Sequence, residues 1–272
     1  MLGINIDYNK RIYGYDLLRA FAIICVVHGH GRSLLFGTSF EGFPWFALPH
    51  GVDIFFVLSG FLIGYSFISK TESENSLKGS ALLNFWKRSA FRILPNYYLL
   101  LIVNYILITY NYLPGDAETF AILKFVTFTQ NLYYHFYGFF WESWSLATQE
   151  WFYLFFPIGL FFLNKSSLKK HSALILSAVF IAAAIVYRYS IKDLEYDSFW
   201  WDVSYRKVAL SRIDSIFIGV IAAWFRFYKP LIWAKAALPA FCFGVISFVI
   251  MSNIDMDVNG LYAKIFYLSF SP

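Results

Sequence analysis

Residues 19–30 read RAFAIICVVHGH, an apolar stretch of helix length that opens on an arginine and closes on two histidines. Charge at the edges of such a segment is costly, so the segment is either a core helix of a soluble domain or a helix at a membrane with work to do. The rest of the chain decides between them. Of its 272 residues 59% are hydrophobic and only 14% charged, against about 25% charged in an ordinary soluble domain. The mean hydropathy is +0.55. The 32 phenylalanines and 20 tyrosines suit lipid-facing surfaces and interfacial belts. The composition predicts an all-α, polytopic transmembrane helix bundle. The net charge of +5 sits in particular loops and carries no nucleic-acid signal. Cys25 and Cys242 lie in apolar segments and read as buried thiols, with neither a disulfide nor a metal site implied. The N-terminus shows no short apolar region followed by a small-residue cleavage site, so no cleaved signal peptide is expected.

Stretches of about 20 mostly apolar residues mark spans. They fall near 16–35, 49–68, 94–114, 144–164, 172–190, 208–226 and 230–251, and an eighth begins near 260, giving about seven to eight. Segment 118–137 reads as an interfacial or re-entrant element. With no internal repeat, residues 1–272 form one membrane-embedded domain, expected to be incomplete at its C-terminus. Basic residues collect in alternate loops: Lys10 and Arg11; Lys70, Lys78, Lys87, Arg88 and Arg92; the three lysines of 164–170; Arg226 and Lys229. The intervening loops hold Asp116, Glu118 and Glu142, then Asp193, Glu195, Asp197 and Asp202, then Asp255 and Asp257. Basic loops stay inside, so the N-terminus is expected in the cytoplasm and the protein in the plasma or inner membrane. Arg188, Lys192, Arg206, Lys207 and Lys124 depart from this alternation.

Eleven residues of helix complete about three turns, so Arg19 and His30 share one face about 16 Å apart along the axis, with His28 on the opposite side. Histidine takes up a proton near neutral pH, and arginine suits a phosphate or carboxylate. The alternative is an arginine snorkelling to headgroups and histidines marking an interface. In the second span Asp53, Gly60 and Gly64 share a face, and Gly60-Phe-Leu-Ile-Gly64 is a G-x-x-x-G that permits close helix approach. Asp53 either orients His30 or simply caps its helix. In ESWSLATQEWFYLFFP, Ser145, Gln149 and Tyr153 form a polar stripe with Glu150 beside it, serving chemistry or interhelical hydrogen bonds. In FWKRSAFRILPNYY, Lys87, Arg88 and Arg92 either anchor the cytoplasmic face or receive a polyanion. Arg212 and Asp214 point to different sides of a later span.

RAFAIICVVHGH, GVDIFFVLSGFLI, KRSAFRILPNYY, WSLATQEWFYLFFP and SRIDSIFIGVIAAW, in this order, resemble the acyltransferase-3 family of integral membrane acyltransferases. The resemblance implies transfer of an acyl group, commonly acetyl from acetyl-CoA, to a hydroxyl of an envelope or exported carbohydrate or glycolipid, with no metal. It implies that Arg19 and His30 take the places of the family's essential pair, that Arg88 and Arg92, with Lys87, match its basic cluster, and that Asp53 matches its second-span aspartate. Two departures stand out. The family's glutamate, five residues after the Trp of WSL, is here Gln149, with Glu150 next to it; either Glu150 takes that role on a shifted helix face or the role is lost. The family is also usually built from about ten spans. The rival reading is a transporter or flippase component for lipid-linked sugars, with charges lining a substrate path.

Overall fold

A computed structural model describes residues 12–41, 48–74, 77–113, 115, 119–134, 138–252 and 257–271. Lys10, Arg11, Asp116, Glu118 and Asp255, all used above to orient the chain, lie outside the described residues. The described chain is helical: α1 (Tyr13–Gly31), α2 (Gly51–Ser73), α3 (Gly79–Thr109), α4 (Thr119–Val126), α5 (Trp144–Leu163), α6 (Ser172–Ser190), α7 (Ser198–Trp201), α8 (Ala209–Tyr228), α9 (Pro230–Ser252) and α10 (Tyr267–Phe270). Wide π-helical turns at Asp202–Arg206 and Tyr262–Phe266 follow α7 and precede α10.

Five helices are long and apolar enough to cross a membrane, namely α2, α3, α5, α6 and α9, each with its capping turn where it has one. The bent pair Ser198–Arg206 and Ala209–Tyr228, meeting at 64°, makes a sixth if taken as one span. Among the described residues, five or six of the seven to eight expected spans are thus met by length and composition. Helix α1 forms as expected but is not among them: Asp16, Arg19, His28 and His30 dilute its apolar run. The segment that begins near 260 is helical from the turn at Tyr262–Phe266 through the four-residue α10. Within segment 118–137 the eight-residue α4 is too short to cross, and residues 118 and 135–137 lie outside the described residues. The third span starts well before residue 94. Helix α3 takes in Lys87, Arg88 and Arg92 and continues through Pro95, where the missing N–H interrupts the hydrogen-bond ladder. The basic cluster is thus part of a helix and not of the loop ahead of it.

The core gathers on α8, which packs against α2 and α6 and touches α5. Phe152, Phe156, Ile216, Phe217 and Val220 are fully buried there. Helices α2 and α8 cross with backbones almost touching. An added Cβ on Gly60 would sit 1.8 Å from the Ile216 carbonyl oxygen, and one on Gly219 would sit 2.0 Å from the Val57 carbonyl oxygen. The expected G-x-x-x-G is thus a helix-crossing point. At the start of α2, a Cβ on Gly51 would meet the Ala22 carbonyl oxygen at 2.3 Å, so α1 leans on α2 as a hairpin partner. Helix α9 packs little of its apolar surface into the bundle. Cys25 is buried as expected, whereas Cys242 is exposed on α9, because that helix presents its apolar residues outward.

Among the described residues five charged side chains are buried; Lys264 donates to the Lys192 and Leu194 carbonyls at 2.8 and 2.7 Å, and the other four form two ion pairs inside this core. Arg188 of α6 donates to Asp214 of α8 at 2.9 Å and to the Ser211 carbonyl at 2.8 Å, with both ion-pair side chains 0% exposed. Arg212 of α8 donates to Asp53 of α2 and, at 2.5 Å, to the carbonyl of Leu268. Ser269 donates to Asp214 at 2.6 Å. The two ion pairs thereby hold α10 against the bundle. The sequence reading that Arg212 and Asp214 face different sides is accurate, and each meets a charge from a different helix.

Candidate active site

Two chambers follow one another along α1, α2 and α5. The first, about 380 Å³, is lined by Arg19 from α1; by Ser59, Ile63 and Ser66 from α2; by Phe85 and Arg92 from α3; and by Gln149 and Tyr153 from α5. The second, about 550 Å³, is lined by Cys25, His28 and His30 from α1, by His50 and Val52 at the start of α2, by Trp144, and by Arg206 and Lys207. On α2 the switch from Val52 to Phe55 takes one helical turn, and on α1 the first chamber has Arg19 where the second has Cys25 to His30. The hairpin contact at Gly51 and Ala22 lies in this same stretch. Arg19 and His30 therefore stand in different chambers, at opposite ends of one helix.

In the first chamber Gln149 donates to Ser59 at 3.0 Å and also to the Tyr153 hydroxyl. Arg92 reaches the same hydroxyl at 3.5 Å. Gln149 and Tyr153 of the stripe predicted on α5 thus face this chamber, whereas Ser145 is not on its wall. Arg19 is half exposed and pairs with Asp16 at 3.1 Å, leaving most of its guanidinium turned to the opening. Two cations, an amide and hydroxyls on apolar walls suit a ligand with anionic groups and a long, mostly uncharged arm.

Not all sequence candidates converge here. Lys87 and Arg88 are exposed on α3, and Arg88 turns back to the Asn84 carbonyl at 3.2 Å; of the three, only Arg92 lines the chamber. Glu150 stands on a different side of α5, in a separate pocket of about 250 Å³ with Trp86, Ser89, Thr127 and Phe128, and one of its carboxylate oxygens is buried without a hydrogen-bond partner. Gln149 lines Arg19's chamber and Glu150 does not. Asp53 does not orient His30. Its carboxylate is engaged by Arg212, because α2 turns the Asp53–Gly60–Gly64 face into α8. His28 lines the second chamber beside His30 despite pointing elsewhere around the helix, because the chamber wraps the end of α1.

Residues the sequence reading passed over complete the second chamber. Its wall includes His50, immediately before α2, together with Trp144, Arg206 and Lys207. His50 is exposed at the head of α2, yet the protein packed around it and then the nearby Arg206 pull its pKa down to about 4, so it is a neutral imidazole at pH 7. Arg206 and Lys207 both bind Asp202, at 3.0 and 2.8 Å, and Lys207 lies 3.8 Å from the centre of the Trp141 ring. The usable signal was the set of basic residues that broke the loop alternation: Arg188 is buried in an ion pair, and Arg206 and Lys207 line a chamber. Among the described residues no group of three or more His, Cys, Asp or Glu is arranged to hold a metal ion.

A stretch of 163 residues, 56% of this chain and 24% of the relative, is 34% identical to the Peptidoglycan O-acetyltransferase OatA of Listeria monocytogenes. The O-acetyltransferase OatA of Staphylococcus aureus is also 34% identical over 163 residues, 55% of this chain and 25% of that protein. The Putative peptidoglycan O-acetyltransferase YrhL of Bacillus subtilis is 29% identical over 171 residues, 57% of this chain and 24% of that protein. The alignments thus span about a quarter of the length of these curated relatives. No solved structure matches. The family described as Acyltransferase domain matches residues 12–271, a range that takes in every helix and both chambers, and the chain belongs to this acyltransferase-3 family.

Proposed function

We propose that the chain is a multi-pass membrane O-acyltransferase that moves an acetyl group from acetyl-CoA to a hydroxyl of a cell-wall or exported carbohydrate, free or lipid-linked. The observation that carries this reading is the pair of chambers on α1, with Arg19 and Arg92 in one and His30 in the other. The axial span from Arg19 to His30, about 16 Å, matches a donor with phosphates at one end, a flexible arm, and a thioester at the other. The relatives' names, which specify O-acetyl transfer and in two cases peptidoglycan, support the acyl group and the acceptor class.

On this reading the N-terminus is cytoplasmic, in the plasma or inner membrane, and acetyl-CoA enters from that side. Lys87 and Arg88 meet it on approach, while Arg19 and Arg92 hold its phosphates. Gln149 and Ser59 steady the arm; an amide can orient the donor but cannot serve as the base. In the second chamber His30 accepts the proton of the acceptor hydroxyl as that oxygen bonds to the carbonyl carbon. The C–S bond then breaks, and His30 returns the proton to the departing thiolate. Asp53, held by Arg212, fixes the start of α2 and so the wall facing His30. Glu150, outside both chambers, has no part in the transfer.

The test is transfer of label from radioactive acetyl-CoA to the carbohydrate fraction of membranes carrying this chain or its His30→Ala variant. Label that appears with the parent chain and is lost with the variant supports the mechanism, whereas label unchanged by His30→Ala refutes the role of His30. Absence of label from the parent across several acyl donors would overturn the enzymatic reading and favour translocation of lipid-linked sugars.

A further inference from the structure

His50 and Arg206 line not only the second chamber but also a third, of about 320 Å³, walled by α7, the turn after it and the α10 segment. Two hydrogen-bond donors on its wall are unused. Trp201 is only 5% exposed, yet its indole Nε1 has no hydrogen-bond partner, and neither has Nε of Arg206. Buried donors are rarely left so. The indole is held in place: the Tyr205 ring stacks on it at 6.0 Å and the Tyr267 ring meets it at 5.9 Å and 61°. Its faces are thereby occupied, and the N–H edge is what it has left to offer. Both carboxylates on its wall are already ion-paired, Asp202 with Arg206 and Lys207, and Asp53 with Arg212. Ser198 and Ser271 add hydroxyls to the wall. Unused N–H donors, hydroxyls and carboxylates already engaged fit a neutral ligand rich in oxygen acceptors better than a cation.

We propose that this third chamber is the acceptor subsite, holding one neutral sugar ring whose oxygens accept from the Trp201 indole and from Nε of Arg206, and presenting a hydroxyl past His50 towards His30. The inference rests on the acyl-transfer reading and adds to it a route: the donor comes along α1 from the Arg19 end, and the acceptor comes from the α7 and α10 side.

The test measures binding of chitopentaose, a soluble neutral amino-sugar chain, to the purified full chain in detergent by calorimetry, beside label transfer in the same preparations. Trp201→Phe keeps the ring and removes the N–H; it is expected to weaken binding about 5- to 10-fold, the effect of losing one hydrogen bond. Ser198→Trp, at an exposed position on the chamber wall, should abolish chitopentaose binding while leaving calorimetric binding of acetyl-CoA and the melting temperature unchanged, which also reports an intact fold. His30→Ala should bind as the parent does. No binding by the parent, or binding indifferent to both the Trp201 and Ser198 substitutions, overturns the subsite even if label is transferred. Binding that responds to both substitutions without any label transfer leaves the subsite standing and sinks the enzymatic reading. Tight binding of acetate or phosphate in place of the sugar also overturns it.

Discussion

Replacing Gly60 with alanine should be far more damaging than one methyl group suggests. The new Cβ would stand 1.8 Å from the carbonyl oxygen of Ile216, and Cβ contacts below 3.0 Å are essentially never observed. The obstacle is backbone, so no rotamer change relieves it, and α2 and α8 must separate locally by at least about 3.0 − 1.8 = 1.2 Å. A gap of 0.5–1 Å already forfeits roughly a quarter to a half of each dispersion contact, and this crossing holds the fully buried Ile216, Phe217 and Val220. Overpacking usually costs about 1–3 kcal/mol; with no side chain able to yield, about 3 kcal/mol or more is expected here. In detergent that corresponds to a fall in melting temperature on the order of 10 °C. Gly219→Ala, the reciprocal contact at 2.0 Å from the Val57 carbonyl, should do the same. Gly244→Ala in α9, with nothing within 4 Å, should be neutral or slightly stabilising, since alanine favours helix over glycine by about 1 kcal/mol. The assay is thermal unfolding of the purified variants, followed by size-exclusion chromatography. If Gly60→Ala and Gly244→Ala melt together, the claim that α2 and α8 meet backbone to backbone is wrong.

Arg188→Leu leaves Asp214 buried and uncompensated and should cost about 3–5 kcal/mol; adding Asp214→Leu should recover most of the lost melting temperature, and a double variant no better than the single one would show that the pair is not the cause. Gln149→Leu removes the donor to Ser59 and Tyr153 and should raise the KM for acetyl-CoA about tenfold, whereas Glu150→Gln, which faces another pocket, should leave it within about threefold; the reverse order would return the role to Glu150. His50 gives a pH signature. Its folded pKa is depressed to about 4 from an ordinary value near 6.5, so between those values the unfolded chain binds the extra proton and stability falls as pH drops. Urea unfolding of His50→Gln should show a flatter profile from pH 7 to pH 4 than the parent, and identical slopes would refute the shift.

Helical periodicity was enough to place Arg19 and His30 along one helix, Asp53 with Gly60 and Gly64 on one face, and the Gln149 stripe on another, because each statement concerns residues on a single helix. It could not say which face meets which. Asp53 looked like a partner for His30 because the α1–α2 hairpin brings their ends together. Its partner is Arg212, 159 residues away in sequence, reached only because three glycines let α2 and α8 approach until a buried guanidinium spans the gap. The place of α1 in the span count turns on a related point. Hydropathy treats a helix as a lipid-facing cylinder, and α1 is a chamber wall whose Asp16, Arg19, His28 and His30 break the apolar run.

The misplaced basic residues make the same point from the other side. Arg188, Arg206 and Lys207 sit where the loop alternation read from the sequence calls for acidic residues, and basic residues that break that pattern need a local reason to be there. For Arg188 the reason is Asp214, in a pair that also holds Ser269. For Arg206 and Lys207 it is Asp202, in a turn that borders the second chamber. The two reasons are connected through α10. Ser269 and the Leu268 carbonyl are bound by the buried pairs, while Tyr267, Leu268 and Ser271 form a wall of the third chamber. The ionic core therefore fixes the wall against which an acceptor would lie. Breaking Arg188–Asp214 should accordingly loosen sugar binding as well as lower stability, and a variant that lost stability while keeping parent-like chitopentaose affinity would separate the two.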